Sequence, residues 1–245
     1  MTPGPSSTRP SPPHVGRPSA PHRRARPWLW IAGTAVAIVI AAAAIFFLAN
    51  RSATRAPEAL VPAGVPQGAS PTGEPMLGSP QAKVTIDEFG DFQCPYCGEF
   101  VRQTEPRIIA TYVATGKARM IWHTLAFIGP ESTLAGRAAW CAQQRGKFWE
   151  YFAVLYQHQG GENTGTFNTA RLERWAGDVG MDRTTFGACL ADPRSLTGVE
   201  TGTQEARRTG ITATPGFVVN GQKATGALTV EQLSMMVERA LAGSQ

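Results

Sequence analysis

The feature that most limits how this chain can fold is Cys94-Pro95-Tyr96-Cys97, set between an apolar run and a helical pattern. Val84-Thr85-Ile86-Asp87-Glu88-Phe89 reads as a buried strand, and Phe100, Val101, Ile108 and Ile109 recur at helical spacing behind the second cysteine. A strand that runs straight into a helix puts Cys94 at the helix start, with Pro95 pre-set for the first turn. Unpaired N–H groups and the positive end of the helix dipole favour a thiolate there. Cys97, one turn further in, is expected to be the more buried of the two. One sulfur then attacks and the other resolves, which is dithiol redox chemistry. The competing use of such a pair is half of a zinc site, which needs four ligands. Cys141 and Cys189 stand alone, and His14, His22, His123 and His158 are scattered, so the spacing predicts neither a metal nor another cofactor.

The net charge of +5 first suggests a nucleic-acid partner. Its distribution removes that idea. Residues 1–70 hold seven basic residues against one acid, Glu58, which leaves 16 basic and 17 acidic residues for 71–245. The basicity belongs to the N-terminal part and forms no binding face on the rest.

Residues 1–27 are rich in Pro, Ser and Arg, carry no acid and are nearly devoid of apolar side chains, a composition that predicts a disordered tail. Trp28 to Ala49 is an uncharged, mostly apolar stretch of 22 residues. As a helix it is long enough to cross a hydrocarbon core of roughly 30 Å. A cleaved signal peptide, the rival reading, has a shorter apolar core of roughly 7–15 residues, so residues 28–49 are expected to be an uncleaved single-pass anchor. Five arginines precede it and Arg51 and Arg55 follow, which predicts a cytoplasmic N-terminus and an external C-terminus. Residues 50–73 carry Pro57, Pro62, Pro66 and Pro71 among Ala and Gly with no hydrophobic period, and read as a linker.

The folded domain is expected over 74–245. After the first strand and the cysteine-bearing helix, Pro106 predicts a kink or break. Ala118 to Leu125 reads as a second strand, and a helical pattern then runs from Glu131 to Arg208, interrupted by a loop at Gly160–Asn168. Gly216-Phe217-Val218-Val219, a tight Asn220-Gly221 turn and Gln222-Lys223-Ala224-Thr225 make a hairpin. Val230, Leu233, Val237, Ala240 and Leu241 line one face of a last helix. His123, inside the second strand, reads as structural or surface-facing.

Three segments in this order resemble the DsbA-type thiol-disulfide oxidoreductases of the thioredoxin superfamily, in their membrane-anchored form. They are Met76-Leu77-Gly78 through Cys97, Gly146-Lys147-Phe148-Trp149-Glu150-Tyr151, and Gly210-Ile211-Thr212-Ala213-Thr214-Pro215-Gly216-Phe217. The resemblance covers roughly residues 74–243. It implies an α/β fold, a thioredoxin-like core with an all-helical subdomain inserted at about 129–208, preceded by the transmembrane helix. Pro215 matches the family's cis-proline beside the dithiol, and Thr214 would offer its backbone to an extended substrate peptide, with Pro95 and Tyr96 on the same surface. Glu88 matches the buried acid behind the dithiol, able to exchange a proton with Cys97. One departure is the Pro-Tyr between the cysteines, typical of glutaredoxins, where the best-known DsbA members have Pro-His.

The resemblance also implies a structural disulfide between Cys141 and Cys189, the alternative being two buried inert thiols. It implies an activity too: the introduction of disulfides into exported proteins, with reoxidation by a membrane partner of the DsbB or VKOR type. The location implied is the bacterial cell membrane, with the catalytic domain outside. A reductase or isomerase of envelope disulfides and a non-catalytic peptide-binding module on the same fold are the other uses such a chain could have.

Overall fold

The computed structural model describes residues 40, 41, 43–45 and 61–243. Residues 40, 41 and 43–45 are helical and exposed, and the rest of the expected membrane span lies outside the described residues. Among those described, no helix is long and apolar enough to cross a membrane. Contacts divide the chain after Arg55, and the fold is that of the second unit.

Six strands form one sheet: β1 (Gln67–Ala69), β2 (Pro75–Leu77), β3 (Val84–Gly90), β4 (Ala118–Thr124), β5 (Gly216–Val219) and β6 (Gln222–Thr225), in the spatial order β1-β2-β4-β3-β5-β6. β3 and β4 are parallel, Val84 facing Ala118 through Gly90 facing Thr124, and every other pairing is antiparallel. A parallel pair needs a crossover, here α1 (Pro95–Gln103), the short α2 (Glu105–Ile108) and a π-helical turn, Ile109–Val113. The break between α1 and α2 falls at Thr104, just ahead of Pro106, whose ring and missing N–H deny the helix its next hydrogen bond.

The helical pattern after β4 resolves into α3 (Pro130–Gln143), α4 (Phe148–Gln157), α5 (Thr169–Asp178), α6 (Arg183–Ala191), a 3-10 turn and α7 (Thr197–Thr209). α8 (Val230–Ala242), opened by a Thr229–Gln232 capping box, then packs on β3, β5 and α2. An aromatic cluster joins the insert to the sheet. Trp122 of β4 meets Phe152 at 4.8 Å between ring centroids, Phe152 meets Tyr156 at 4.9 Å, and Phe92 lies 5.3 Å from both Trp122 and Tyr156. Such pairs add about 0.5–1.5 kcal/mol each beyond their burial. On the other side α7 lies directly on β4: a Cβ at Gly202 would stand 2.2 Å from the Thr124 carbonyl oxygen, so only glycine allows that approach.

One boundary differs from the sequence reading. The stretch read as linker to residue 73 already contains β1, and Val65 is in the core. β1 is three residues long and exposed throughout, so it carries no alternation to betray it; its partner β2 is fully buried. His123 is not surface-facing. It is 4 % exposed, stacks on Phe89 at 4.5 Å and places Nε2 2.8 Å from Asp87 Oδ1.

Candidate active site

β3 ends at Gly90, and four residues later the chain enters α1 with Cys94 as N-cap (φ −68°, ψ 118°) and Pro95 in the first turn. The Cys94 N–H donates to Asp91 O at 3.0 Å, which closes the turn, and Gly98 N–H donates back to Cys94 O at 3.1 Å. Both sulfurs are free thiols, Cys94 5 % exposed and Cys97 wholly buried. The Thr214–Pro215 bond is cis and brings the loop ahead of β5 over the dithiol, so that the Cys94 thiol donates to Thr214 O at 3.4 Å. Tyr96 and Phe127, 62 % and 57 % exposed, are large apolar side chains left on the surface.

The electrostatics separate the two sulfurs. The Cys94 thiol is lowered to about 6, first by a hydrogen bond from Cys97 and then by the Thr214 hydroxyl and the backbone N–H groups of Cys97 and Tyr96, against the opposing effect of burial. The Thr214 hydroxyl is buried without another partner, which leaves it free to turn toward a thiolate. Cys97 is pushed well above the ordinary thiol value, by burial first and then by Cys94. The helix start thus contributes to the low value of Cys94, but the neighbouring thiol contributes more.

A set of polar side chains, not legible from the sequence, fixes the loop between β3 and α1. The buried carboxylate of Asp91 accepts from the backbone N–H groups of Gln93 (2.8 Å), Phe127 (3.0 Å) and Ile128 (3.2 Å). The Gln93 amide donates to Ser132 Oγ at 2.8 Å and accepts from Asn163 N–H at 2.6 Å. Gln159, just past α4, donates to both Phe92 O and Cys94 O at 2.9 Å. Its Oε1 sits so close to the helix that a Cβ at Gly98 would meet it at 1.9 Å. Asp91 and Gln93 could have been suspected as polar residues flanking the cysteines; Gln159 and Asn163 are far in sequence and carry no signal.

Glu88 is 1 % exposed on β3, opposite Trp122 and Phe217 on the neighbouring strands. Its carboxyl is held well above the usual carboxylate range by burial and by Glu105. Cys141 and Cys189 form a disulfide that ties α3 to α6, with Cα atoms 6.0 Å apart. A cavity of about 260 Å³ between β4 and the insert is lined by Glu74, His123, Trp140, Gln143 and Thr201 among others, and neither Cys94 nor Cys97 reaches it. Among the described residues no group of three or more His, Cys, Asp or Glu side chains is arranged to hold a metal ion.

The thioredoxin family's sequence profile matches residues 70–239. Disulfide bond formation protein D of Bacillus subtilis is 26 % identical over 179 residues, covering 70 % of this chain and 78 % of that protein. The Na(+)/H(+) antiporter NhaA 1 of Salinispora arenicola is 32 % identical over 177 residues, 71 % of this chain. The chain spans only 26 % of that relative's length, so the antiporter name describes a protein of which about a quarter is matched here. Among solved structures, oxidised BdbD from Bacillus subtilis superposes with a TM-score of 0.67 at 24 % identity, covering 73 % of this chain and 99 % of that one. A thioredoxin-like oxidoreductase from Silicibacter pomeroyi gives 0.60 at 28 % identity, covering 70 % and 93 %. Alpha-DsbA1 from Wolbachia pipientis gives 0.62 at 19 % identity, covering 78 % and 98 %. A dithiol at a strand-to-helix junction, capped by a cis-proline loop and matched by the family's profile over most of the chain, places this protein in the thioredoxin family, with BdbD- and DsbA-type proteins as its structural neighbours.

Proposed function

We propose that this protein is an extracytoplasmic thiol-disulfide oxidoreductase that introduces disulfides into exported proteins, held at the bacterial cell membrane by residues 28–49. The observation that carries the reading is the unequal pair of sulfurs: Cys94 at the helix start with a thiol lowered to about 6, and Cys97 buried and raised. In the oxidised protein a substrate thiolate attacks Cys94 Sγ. The Cys94–Cys97 bond breaks, a mixed disulfide forms, and Cys97 departs with the electron pair and takes up a proton. A second substrate thiolate then attacks the substrate sulfur of the mixed disulfide, forming the substrate's own disulfide and releasing Cys94 as a thiolate. Thr214 and the cis-Pro215 present backbone to an extended peptide, with Pro95, Tyr96 and the exposed Phe127 beside it. Glu88 is the acid that exchanges a proton with Cys97. Reoxidation falls to a quinone-linked membrane protein of the DsbB or VKOR type.

Reduction releases the Cys94 thiolate, so whatever stabilises that thiolate makes the disulfide a better oxidant. The sign follows for pH as well. The folded value lies below the ordinary 9.0, so this group stabilises the reduced fold fully above about pH 9 and loses that contribution as pH falls through about 6. The test is a glutathione equilibration of the soluble domain together with thiolate absorbance against pH. Titration of Cys94 near pH 6 and a potential less negative than roughly −220 mV are expected. A potential near thioredoxin's, roughly −270 mV, with an ordinary thiol value would instead make the protein a reductase.

A further inference from the structure

Glu88 has company. Glu105, first residue of α2, is also 1 % exposed, because the break at Thr104 turns the new helix inward where Pro106 restarts it. Each carboxyl has a buried oxygen without a hydrogen-bond partner, Oε1 of Glu88 and Oε2 of Glu105. Among the described residues neither takes part in an ion pair. A buried carboxyl without a cation or donors is costly as a charge and stays protonated instead. Both are raised, Glu105 by burial and Glu88 by burial and Glu105 together.

The groups around them are few and can be named. Tyr156 of α4, fully buried, feels Cys97 of α1, Glu88 of β3, Asp91 of the following loop and Glu105 of α2, so all four gather at one phenol. The Tyr156 hydroxyl donates to Asp91 O at 3.3 Å, and the Asp91 carboxylate is occupied by its three backbone N–H groups. β4 and β5 set Trp122 and Phe217 opposite Glu88, and α8 buries Leu233 and Val237. No lysine or arginine contributes to either carboxyl's shift.

We propose that Glu105 is a positioning residue which, paired with Glu88, keeps a proton stored behind the dithiol for delivery to Cys97. The proposal rests on the oxidoreductase reading given above. When substrate attacks Cys94 and the S–S bond breaks, the electron pair leaves on Cys97 Sγ inside an apolar region. A proton from Glu88 passes to that sulfur, one negative charge remains on the pair, and the still-neutral Glu105 offers its O–H dipole to it. Water returns the proton once the site reopens. Two carboxyls serve here where one would not. Each neutral partner eases the other's single charge, and a second charge is refused because the two would repel.

The experiment follows mixed-disulfide formation between the oxidised protein and a reduced model peptide across pH, using wild type, Glu105→Gln, Glu105→Asp and Glu88→Gln. In wild type the proton store empties at high pH and the rate stops rising with thiolate supply. Glu105→Gln removes the repulsion that holds Glu88 protonated. That limb should move to lower pH by about one unit, about a tenfold slowing at the alkaline end, with the acid end unchanged. Glu105→Asp should restore the limb. A wild-type pH profile in Glu105→Gln overturns the proposal while leaving the oxidoreductase reading intact. If the wild type does not oxidise the peptide at all, that reading fails instead. The pair is then judged by infrared difference spectra of oxidised against reduced protein: a protonated-carboxyl band altered in both Glu105→Gln and Glu88→Gln supports it, and a band unaffected by Glu105→Gln sinks it.

Discussion

The protein holds two pairs of cysteines, and they are opposites in almost every respect. Cys94 and Cys97 lie one helical turn apart, are free, and sit where a helix start meets a cis-proline loop. Cys141 and Cys189 lie 48 residues apart, are joined, and stitch two helices of the insert together. Spacing alone does not make the difference. The first pair has a thiolate-favouring environment around one sulfur and an apolar one around the other; the second has packing on both sides, with Cys141 fully buried and Cys189 set against the same core. Chemistry is concentrated in the pair whose surroundings are asymmetric, and stability in the pair that closes a long loop.

The largest effect that tests this division is on activity. Cys94→Ser should abolish oxidation of a reduced peptide, a loss of at least about three orders of magnitude as expected for removing a nucleophile. Cys141→Ala should leave that rate within about a factor of three, since no described contact joins the second pair to the first. If both variants lose activity alike, the division is wrong. The next effect is on stability. Opening a loop of 48 residues costs about 4 kcal/mol in the chain-entropy account, or a fall in Tm of roughly 8–16 °C for a domain of this size. Calorimetry of Cys141→Ala should show that fall, and Cys94→Ser should not. Alkylation of Cys141 and Cys189 without reductant would remove the bridge from the comparison altogether.

The smallest effect separates covalent from hydrogen-bonded fixation. Gln159 holds the carbonyls of Phe92 and Cys94, the only side chain of α4 or its exit loop that grips the peptide at Cys94 among the described residues. Gln159→Ala should cost about 1–2 kcal/mol of stability. It should slow peptide oxidation several-fold without moving the Cys94 titration, because none of the groups that lower that thiol is Gln159. A shifted titration would mean that the clamp sets the electrostatics as well as the position.

Much of this could be read from the chain itself, for reasons that differ by element. β3, β4 and the hairpin were legible because their apolar runs end at turn residues; Asn220 and Gly221 take φ of 43° and 90°, as a tight Asn-Gly turn requires. The break near Pro106 was legible because proline's covalent structure demands it. β1 was not, since a three-residue exposed strand exists only through its pairing with β2. In the site, both cysteines, Glu88 and the Thr-Pro loop could be picked out in advance. Glu105 could not, because a glutamate before a helical proline looks like an ordinary first-turn residue facing water. Asn163 and Gln159 reach the dithiol loop from 70 and 65 residues away, and only the folded insert brings them there.

The way the chain enters the sheet has a mechanical consequence. β1 is antiparallel to β2 with Gln67 opposite Leu77 and Ala69 opposite Pro75, so the turn between them lies at the far end from the incoming chain. A pull on the segment ahead of Gln67 therefore meets these hydrogen bonds one after another, as in opening a zip, instead of all at once. Releasing residues 67–74 frees eight residues and lengthens the lead by about 25 Å at full extension. β2, β4, β3 and β5, which carry the dithiol and its proline loop, remain paired throughout. The edge hairpin is then a shock absorber. In a single-molecule pulling experiment it should yield as a small, low-force step ahead of the rupture of the rest, and exchange at Cys94 should continue after that step.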